Sequence, residues 1–198
     1  MKILAFTDIH ADPSSFKILR KKVEKENPDL VVCCGDISNF GIDLDFAVKQ
    51  ILLLNRKTLL IPGNHETEKE IQQISERNEK IINLHNHFFE HNDLVFYGYG
   101  TGGFTRIDEK FERMISSVIK KIPKKKKLIF VTHAPLYNTL LDKLPAGHHG
   151  NKTTRKFVEI TKPILVLSGH FHENEKKEDK IGNSRIINPG HDGTIIEL

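Results

Sequence analysis

The stretch "KILAFTDIHADPSSFKILRKKVEKENPDLVVCCGD", residues 2–36, holds two apolar β-type runs separated by one segment of helix length. The first run, "KILAFTD", ends in Asp8, with His10 two residues on; the second, "LVVCCGD", ends in Gly35 and Asp36. Between them Phe16, Leu19 and Val23 recur at helical spacing, and Ser14 or Ser15 is the expected N-cap. Strand, helix and strand in that order predict an α/β fold built from βα units. Each strand closes on a group that binds or moves protons.

The same grammar continues outward. A helix is expected at residues 43–56, a third run at 58–65 ending in Gly63, Asn64 and His65, and a helix carrying Ile71, Ile74 and Ile81 on one face. "DLVFYGYG" reads as a strand followed by a glycine-rich turn at residues 100–104, and "DEKFERMISSVIKKI" as a helix. A fourth run at residues 127–135 ends around His133, and a helix over residues 152–159 leads to "PILVLSGHFH". That fifth run closes on Gly169, His170 and His172. The last segment, "SRIINPGHDGTIIEL", reads as a hairpin.

Five β-type runs therefore end in carboxylate, imidazole or amide groups. Ligands of open α/β sheets bind outside the carboxyl ends of the strands. If these strands are parallel neighbours, the five endings meet at one edge of one sheet. Asp8 and His10, at i and i+2, would share a face of an extended segment.

The available groups are Asp8, His10, Asp36, Asn64, His133, His170 and His172, with no thiolate among them. Such donors suit Mn, Fe, Zn or Ni. Seven ligands are too many for one tetrahedral ion and suit two divalent ions with open positions for water and substrate. Two ions about 3.5–4 Å apart acidify a shared water and clamp the oxygens of an in-line displacement. That chemistry matches phosphoryl transfer to water. His65 would remain free to protonate the leaving oxygen or steady the phosphate.

The chain of 198 residues fits a single domain over residues 1–198, with 38% hydrophobic and 28% charged residues. No apolar run approaches the ~20 residues of a membrane span. The N-terminal run contains Asp8 and lacks a small-residue cleavage site, so it does not read as a signal peptide. Cys33 and Cys34 are adjacent and read as buried small hydrophobes. A cytoplasmic protein is expected. The net charge of +4 is concentrated in "KKIPKKKK", residues 120–127. No aromatic residues interleave with these lysines, so a solvated loop is favoured over a nucleic-acid surface.

In this order, Asp8-x-His10, Gly35-Asp36, Gly63-Asn64-His65-Glu66, His133 and Gly169-His170-x-His172 resemble the five motifs of the calcineurin-like metallophosphoesterase superfamily. "NPG" at residues 188–190 resembles a turn of its small prokaryotic members. The resemblance implies a four-layer α/β/β/α sandwich, two facing mixed sheets flanked by helices. It implies that Asp8, His10, Asp36 and His172 hold one metal, that Asp36, Asn64, His133 and His170 hold the other, and that His65 is the general acid. The bridging carboxylate would be Asp36. His170 and His172 would then serve different metals, which calls for a bend after Gly169. Substrate-binding roles are implied for Asn64 and His65, and for His148 and His149 in a loop before a helix. His85, Asn86, His87 and His91 fall outside the strand-end pattern and read as surface or packing residues.

The sequence departs from the family at His191, where a small hydroxyl residue is frequent, and has no clear substrate arginine near Glu66. The expected activity is hydrolysis of a small phosphodiester, or of a phosphomonoester, by a metal-bridging hydroxide. Mn is the favoured metal. The rivals are a non-catalytic scaffold and a nuclease acting through the lysine run; a scaffold has no need of His65 beside all seven ligands.

Overall fold

Strand β1 (Lys2–Phe6) is buried on both faces, Leu4 and Phe6 on one and Ile3 and Ala5 on the other. A strand covered on both sides must lie inside a layered molecule. The computed structural model describes residues 1–100 and 102–198, so Thr101 of the expected glycine-rich turn lies outside the described residues.

The order is β1, α1 (Pro13–Glu26), β2 (Leu30–Cys33), α2 (Leu44–Leu53), β3 (Thr58–Leu60), α3 (Glu68–Arg77), β4 (Ile81–Asn83), β5 (Phe88–His91) and β6 (Leu94–Tyr99). There follow α4 (Glu109–Lys121), β7 (Lys127–Thr132), β8 (Lys143–Leu144), β9 (Gly147–His148), α5 (Lys152–Thr161), β10 (Leu165–Leu167), β11 (Glu178–Ile181), β12 (Ser184–Ile187) and β13 (Thr194–Glu197). A 3-10 turn covers His172–Asn174.

Two mixed sheets carry the molecule, with strand orders β13-β1-β2-β3-β4 and β11-β12-β10-β7-β6-β5. Strands β1 to β4 are parallel, with β13 antiparallel on β1; β6, β7, β10 and β12 are parallel, with antiparallel β5 and β11 at the edges.

Three separate apolar clusters prove the layering. Leu4, Phe6, Val31, Cys33 and Leu60 pack with Phe16, Leu19 and Val23 of α1, Ala47 and Ile51 of α2, and Ile71 of α3. Ile3, Ala5, Val32, Cys34 and Leu59 instead meet Phe96, Ile129, Val131, Leu165 and Leu167 of the other sheet. That sheet's outer face, Val95, Tyr97, Phe130 and Val166, packs on Phe111 and Ile115 of α4 and on Phe157 of α5. Helix, sheet, sheet and helix are thus stacked in four layers, the expected α/β/β/α sandwich. The strand period of two sends alternate residues to different cores. Cys33 and Cys34 are both free and buried, one in each cluster.

Four expectations need correction. Helix α1 is capped by Asp12, whose carboxylate accepts from the backbone of Ser14 and Ser15, rather than by either serine. A carboxylate placed before Pro13 reaches both orphan amides, and the serine hydroxyls donate to it as well. Ile81 begins β4 rather than closing the face of α3, because the helix stops at Arg77. The C-terminal segment is not a hairpin: β12 pairs with β11 and β13 with β1, so residues 188–193 carry the chain from one sheet to the other. The hairpin is β11–β12, turned at Gly182 with φ 58°. Finally, the five endings do not line one sheet. β1, β2 and β3 belong to the first sheet and β7 and β10 to the second.

A candidate metal centre between the two sheets

The strands stop before the polar groups begin. β1 ends at Phe6, and Asp8 and His10 follow with φ of 51° and 44°. They do not share a face of an extended segment; two left-handed residues coil the backbone around the site. Asp36 (φ 53°) and His170 (φ 75°) are left-handed too. Non-glycine residues rarely adopt this region, and such strain gathers at functional sites.

Hydrogen bonds between neighbouring strand ends, and one between the sheets, assemble the endings. Asp8 N–H donates to the Gly35 carbonyl at 3.0 Å, and His10 N–H to that of Asp36 at 3.1 Å. Gly169 N–H donates to the His133 carbonyl at 2.9 Å. His170 N–H crosses between the sheets to Asp8 Oδ2 at 2.8 Å, and Thr7 Oγ1 donates to the same oxygen at 2.6 Å. The other oxygen, Asp8 Oδ1, is buried without a partner.

Three glycines make this closeness feasible. A Cβ on Gly63 would lie 1.9 Å from Asp36 Oδ1, and one on Gly35 would lie 2.5 Å from Gly63 N. On Gly169 it would lie 1.9 Å from Thr7 Oγ1 and 2.4 Å from Asp8 Oδ2. The bend in the fifth run is made by His170 in its left-handed conformation, while Gly169 serves the close approach.

The imidazoles are aimed by backbone carbonyls. His133 is fully buried, and its Nδ1 lies 2.9 Å from the Cys34 carbonyl. A carbonyl only accepts, so Nδ1 carries the proton and Nε2 faces the site, 3.0 Å from Asn64 Oδ1 and 3.4 Å from Asp36 Oδ2. His10 Nδ1 lies 3.2 Å from the Ser38 carbonyl, which turns its Nε2 to His172 Nε2 at 3.3 Å. His170 Nε2 is buried without a partner.

Ligand atoms lie within 4.8 Å of one another in three groups: Asp8, His10 and His172; His10, Asp36 and His65; and Asp36, His133 and His170. His170 and His172 therefore fall in different groups. His10 and Asp36 each belong to two. Asn64 joins through its contact with His133. All seven expected metal ligands, with His65, are thus brought together.

Charge is balanced tightly here. Burial would raise Asp36, but the facing His133 holds it down at about 2. Burial would lower His133, but Asp36, hydrogen-bonded to it, lifts it to about 9, helped by the charge of Asp8. Burial pushes His170 down to about 4, with the charge of His133 adding to the effect. Burial also lowers His65.

One organising residue had no role assigned from sequence. The buried Glu66 carboxylate accepts from Asp36 N–H (3.0 Å), Gly63 N–H (3.2 Å), Ser38 N–H (2.9 Å) and Ser38 Oγ (2.8 Å). It ties the end of β2 to the end of β3. Burial and the neighbouring Asp36 charge raise its pKa. The only sequence signal was its place directly after Asn64 and His65.

Other residues singled out from sequence are not members of these three groups. His148 Nδ1 pairs with the buried Asp142 at 2.7 Å, and His149 N–H donates to the Asp142 carbonyl at 3.1 Å. His85 is buried, accepts from Gly100 N–H at 3.0 Å, and packs on Tyr99. His191 pairs with Glu175 at 2.7 Å, and the other Glu175 oxygen lies 3.7 Å from His172. The lysine run ends at Lys127, the first residue of β7, whereas His133 follows its last. Six strand residues at ~3.3 Å each put that end of the run roughly 20 Å from the site. Lys126 and Lys127 there are paired with Glu90 and Asp93.

The donor set fits divalent metal. It offers carboxylate, imidazole and amide oxygen, with Asp8 Oδ1 and His170 Nε2 buried and unpartnered and two ring nitrogens face to face. A four-layer α/β sandwich with candidate metal ligands at its strand ends defines the architecture of a metal-assisted hydrolase. The chain belongs to the calcineurin-like phosphoesterase family, whose model matches residues 1–174. It is 32% identical over 200 residues to the uncharacterized protein MJ1162 of Methanocaldococcus jannaschii, covering 96% of this chain and 88% of that one. Its fold is similar to the crystal structure of TT1561 of Thermus thermophilus, at TM-score 0.73 and 15% identity, covering 96% of this chain and 88% of the other. It is similar to a structure described as a novel archaeal phosphodiesterase, at TM-score 0.53 and 22% identity, covering 96% and 84%. At these identities the two structures speak for the fold alone. Among the described residues, no helix is long and apolar enough to cross a membrane.

Proposed function

We propose that the protein is a phosphohydrolase dependent on two divalent metal ions, acting on a small phosphodiester in preference to a phosphomonoester. Asp8, His10, Asp36 and His172 hold one ion, and Asp36, Asn64, His133 and His170 the other. The observation that carries this reading is the separation of His170 from His172 into two groups, with Asp36 beside His133 and His65 at once. A carboxylate with two oxygens suits the shared position. Mn is the favoured metal, with Fe, Zn and Ni as alternatives of the same donor preference. When bound, such a pair acidifies a water and neutralises charge on the phosphoryl oxygens.

The chain's own residues do the rest. Cys34 and Ser38 carbonyls fix the tautomers of His133 and His10, and the Thr7 hydroxyl and His170 amide fix Asp8. His65 sits with Nε2 3.8 Å from Asp36 Oδ2, beside both groups. Burial lowers its pKa, which eases release of a proton. In this place it serves as the general acid toward the leaving oxygen, or steadies the phosphate by a hydrogen bond. The family assignment supports the ester class.

The test is hydrolysis of an aryl phosphodiester by chelated and then Mn-reloaded protein. Activity should appear on reloading and be abolished in Asp36→Ala. Inertness on aryl mono- and diesters with Mn, Fe, Ni and Zn alike would overturn the proposal.

A further inference from the structure

Two phenylalanines at the site are exposed: Phe40 at 74% and Phe104 at 73%. Neither is a stray surface residue. Phe40 stacks on His65, centroids 3.8 Å apart and planes at 22°. Phe104 meets His170 edge to face at 4.5 Å. Each of the two groups that share Asp36 thus carries its own aromatic ring, through His65 in one and His170 in the other.

The backbone beside each ring is held in place. Phe40 is left-handed, with φ 51°, a conformation a bulky side chain rarely adopts. Next to it Asn39 Nδ2 donates to the His10 carbonyl at 3.1 Å, and Gly41 N–H donates to Ser38 Oγ at 3.2 Å. On the other side Gly103, with φ 41°, lies so close to Asn64 that its Cβ would be 3.3 Å from the Asn64 side chain. The Thr105 carbonyl accepts from the buried Asn151 at 2.7 Å. Folding lays one face of Phe40 on His65 and sets Phe104 against His170 and Phe171, and leaves most of each ring in water. An exposed aromatic face beside a phosphate site suits a planar group attached to that phosphate.

We infer that Phe40 and Phe104 are stacking walls for the organic part of the substrate, and that this part is a flat heteroaromatic base. The substrate class is then a nucleotide or nucleoside phosphodiester rather than an aliphatic ester. This rests on the phosphohydrolase reading. Two walls, one per group, fit a diester with an arm on either side of phosphorus.

The experiment compares adenosine 5′-monophosphate with ribose 5-phosphate, which carry the same phosphate charge and differ by the base. Dissociation constants are measured by calorimetry on the Mn-loaded protein. Stacking predicts about five- to a hundredfold tighter binding of the nucleotide. The ratio should fall toward one in the Phe40→Ala/Phe104→Ala double variant and in Phe40→Leu/Phe104→Leu, which keeps apolar bulk without a flat face. Equal affinities in the unmodified protein would overturn the inference alone, as would a ratio untouched by the double variant. A dimer that the double variant dissociates, with the ratio unchanged, would reassign the rings to an interface between copies. Binding of neither ligand, together with no hydrolysis of aryl esters, would overturn the phosphohydrolase reading and the inference with it.

Discussion

The His170 backbone N–H donates to Asp8 Oδ2 at 2.8 Å, across 162 residues of chain and from one sheet to the other. Asp8 Oδ2 is thereby occupied, and Oδ1 is left buried and unpartnered toward the site. The bond exists only because Gly169 lacks a Cβ, which would lie 2.4 Å from that same oxygen.

Gly169→Ala should therefore damage the metal centre more than the fold. Relieving the clash must push Asp8 or the β10 end outward, at about 1–3 kcal/mol of stability. Metal content by elemental analysis should fall below that of the unmodified protein, with a lowered Tm. Full metal content at an unchanged Tm would refute the account.

Glu66→Gln should weaken metal binding about ten- to a hundredfold, as loss of partners behind the ligands typically does. The amide group would face backbone N–H donors that now meet a carboxylate. Each donor left unsatisfied in a buried place costs about 1–3 kcal/mol. Calorimetric titration with Mn and urea unfolding measure the two effects; metal affinity equal to that of the unmodified protein would remove Glu66 from the site.

The metal-free protein should have a pH-dependent stability that follows the Asp36–His133 pair. His133 is raised to about 9, so its contribution is complete below the unfolded histidine value of ~6.5 and is lost as pH rises through about 9. Asp36 is lowered to about 2, so its contribution is complete above the unfolded aspartate value of ~3.9 and is lost as pH falls toward 2. The pair's contribution to the urea midpoint of chelated protein should thus be fullest between the two unfolded values and decline on the alkaline side. The alkaline decline should shrink in His133→Asn. A midpoint flat from pH 6 to 9 would contradict the pairing.

Phe157→Ala should cost about 3–5 kcal/mol without changing metal content. Phe157 is fully buried among Phe130, Phe111 and Tyr97, at centroid distances of 4.8, 5.3 and 5.8 Å, on the face of the second sheet away from the first. Loss of metal at a modest loss of stability would show that the outer layer and the site are coupled.

The chemistry-bearing residues were legible because each follows an apolar run in the chain. A run that becomes a buried strand must end at the sheet edge, and Asp8, Asp36, Asn64, His133 and His170 all lie just past such an end. The α/β alternation was legible because strand and helix periods differ within a few residues of chain. Glu66 was not, because its role consists of four hydrogen bonds, most of them to a segment 28 or 30 residues away that no local pattern encodes. Phe40 and Phe104 looked like ordinary apolar residues; only their exposure against His65 and His170 marks them.

Periodicity and chain order, which are local properties, were enough to set the five site-bearing strands, β6 and the five helices, and which side chains follow the site strands; β4, β5, β8, β9 and β11 were not read from them. Packing of the whole chain set the rest: β1, β2 and β3 lie in one sheet and β7 and β10 in another, and β13 leaves β12 to pair with β1. It also parted His170 from His172, because the left-handed turn at His170 and the 3-10 turn at His172 interrupt the strand. Pairing between distant strands and the approach of one backbone to another's carboxylate depend on the whole packed molecule. A single βα unit, which cannot bury both of its faces, does not contain that information.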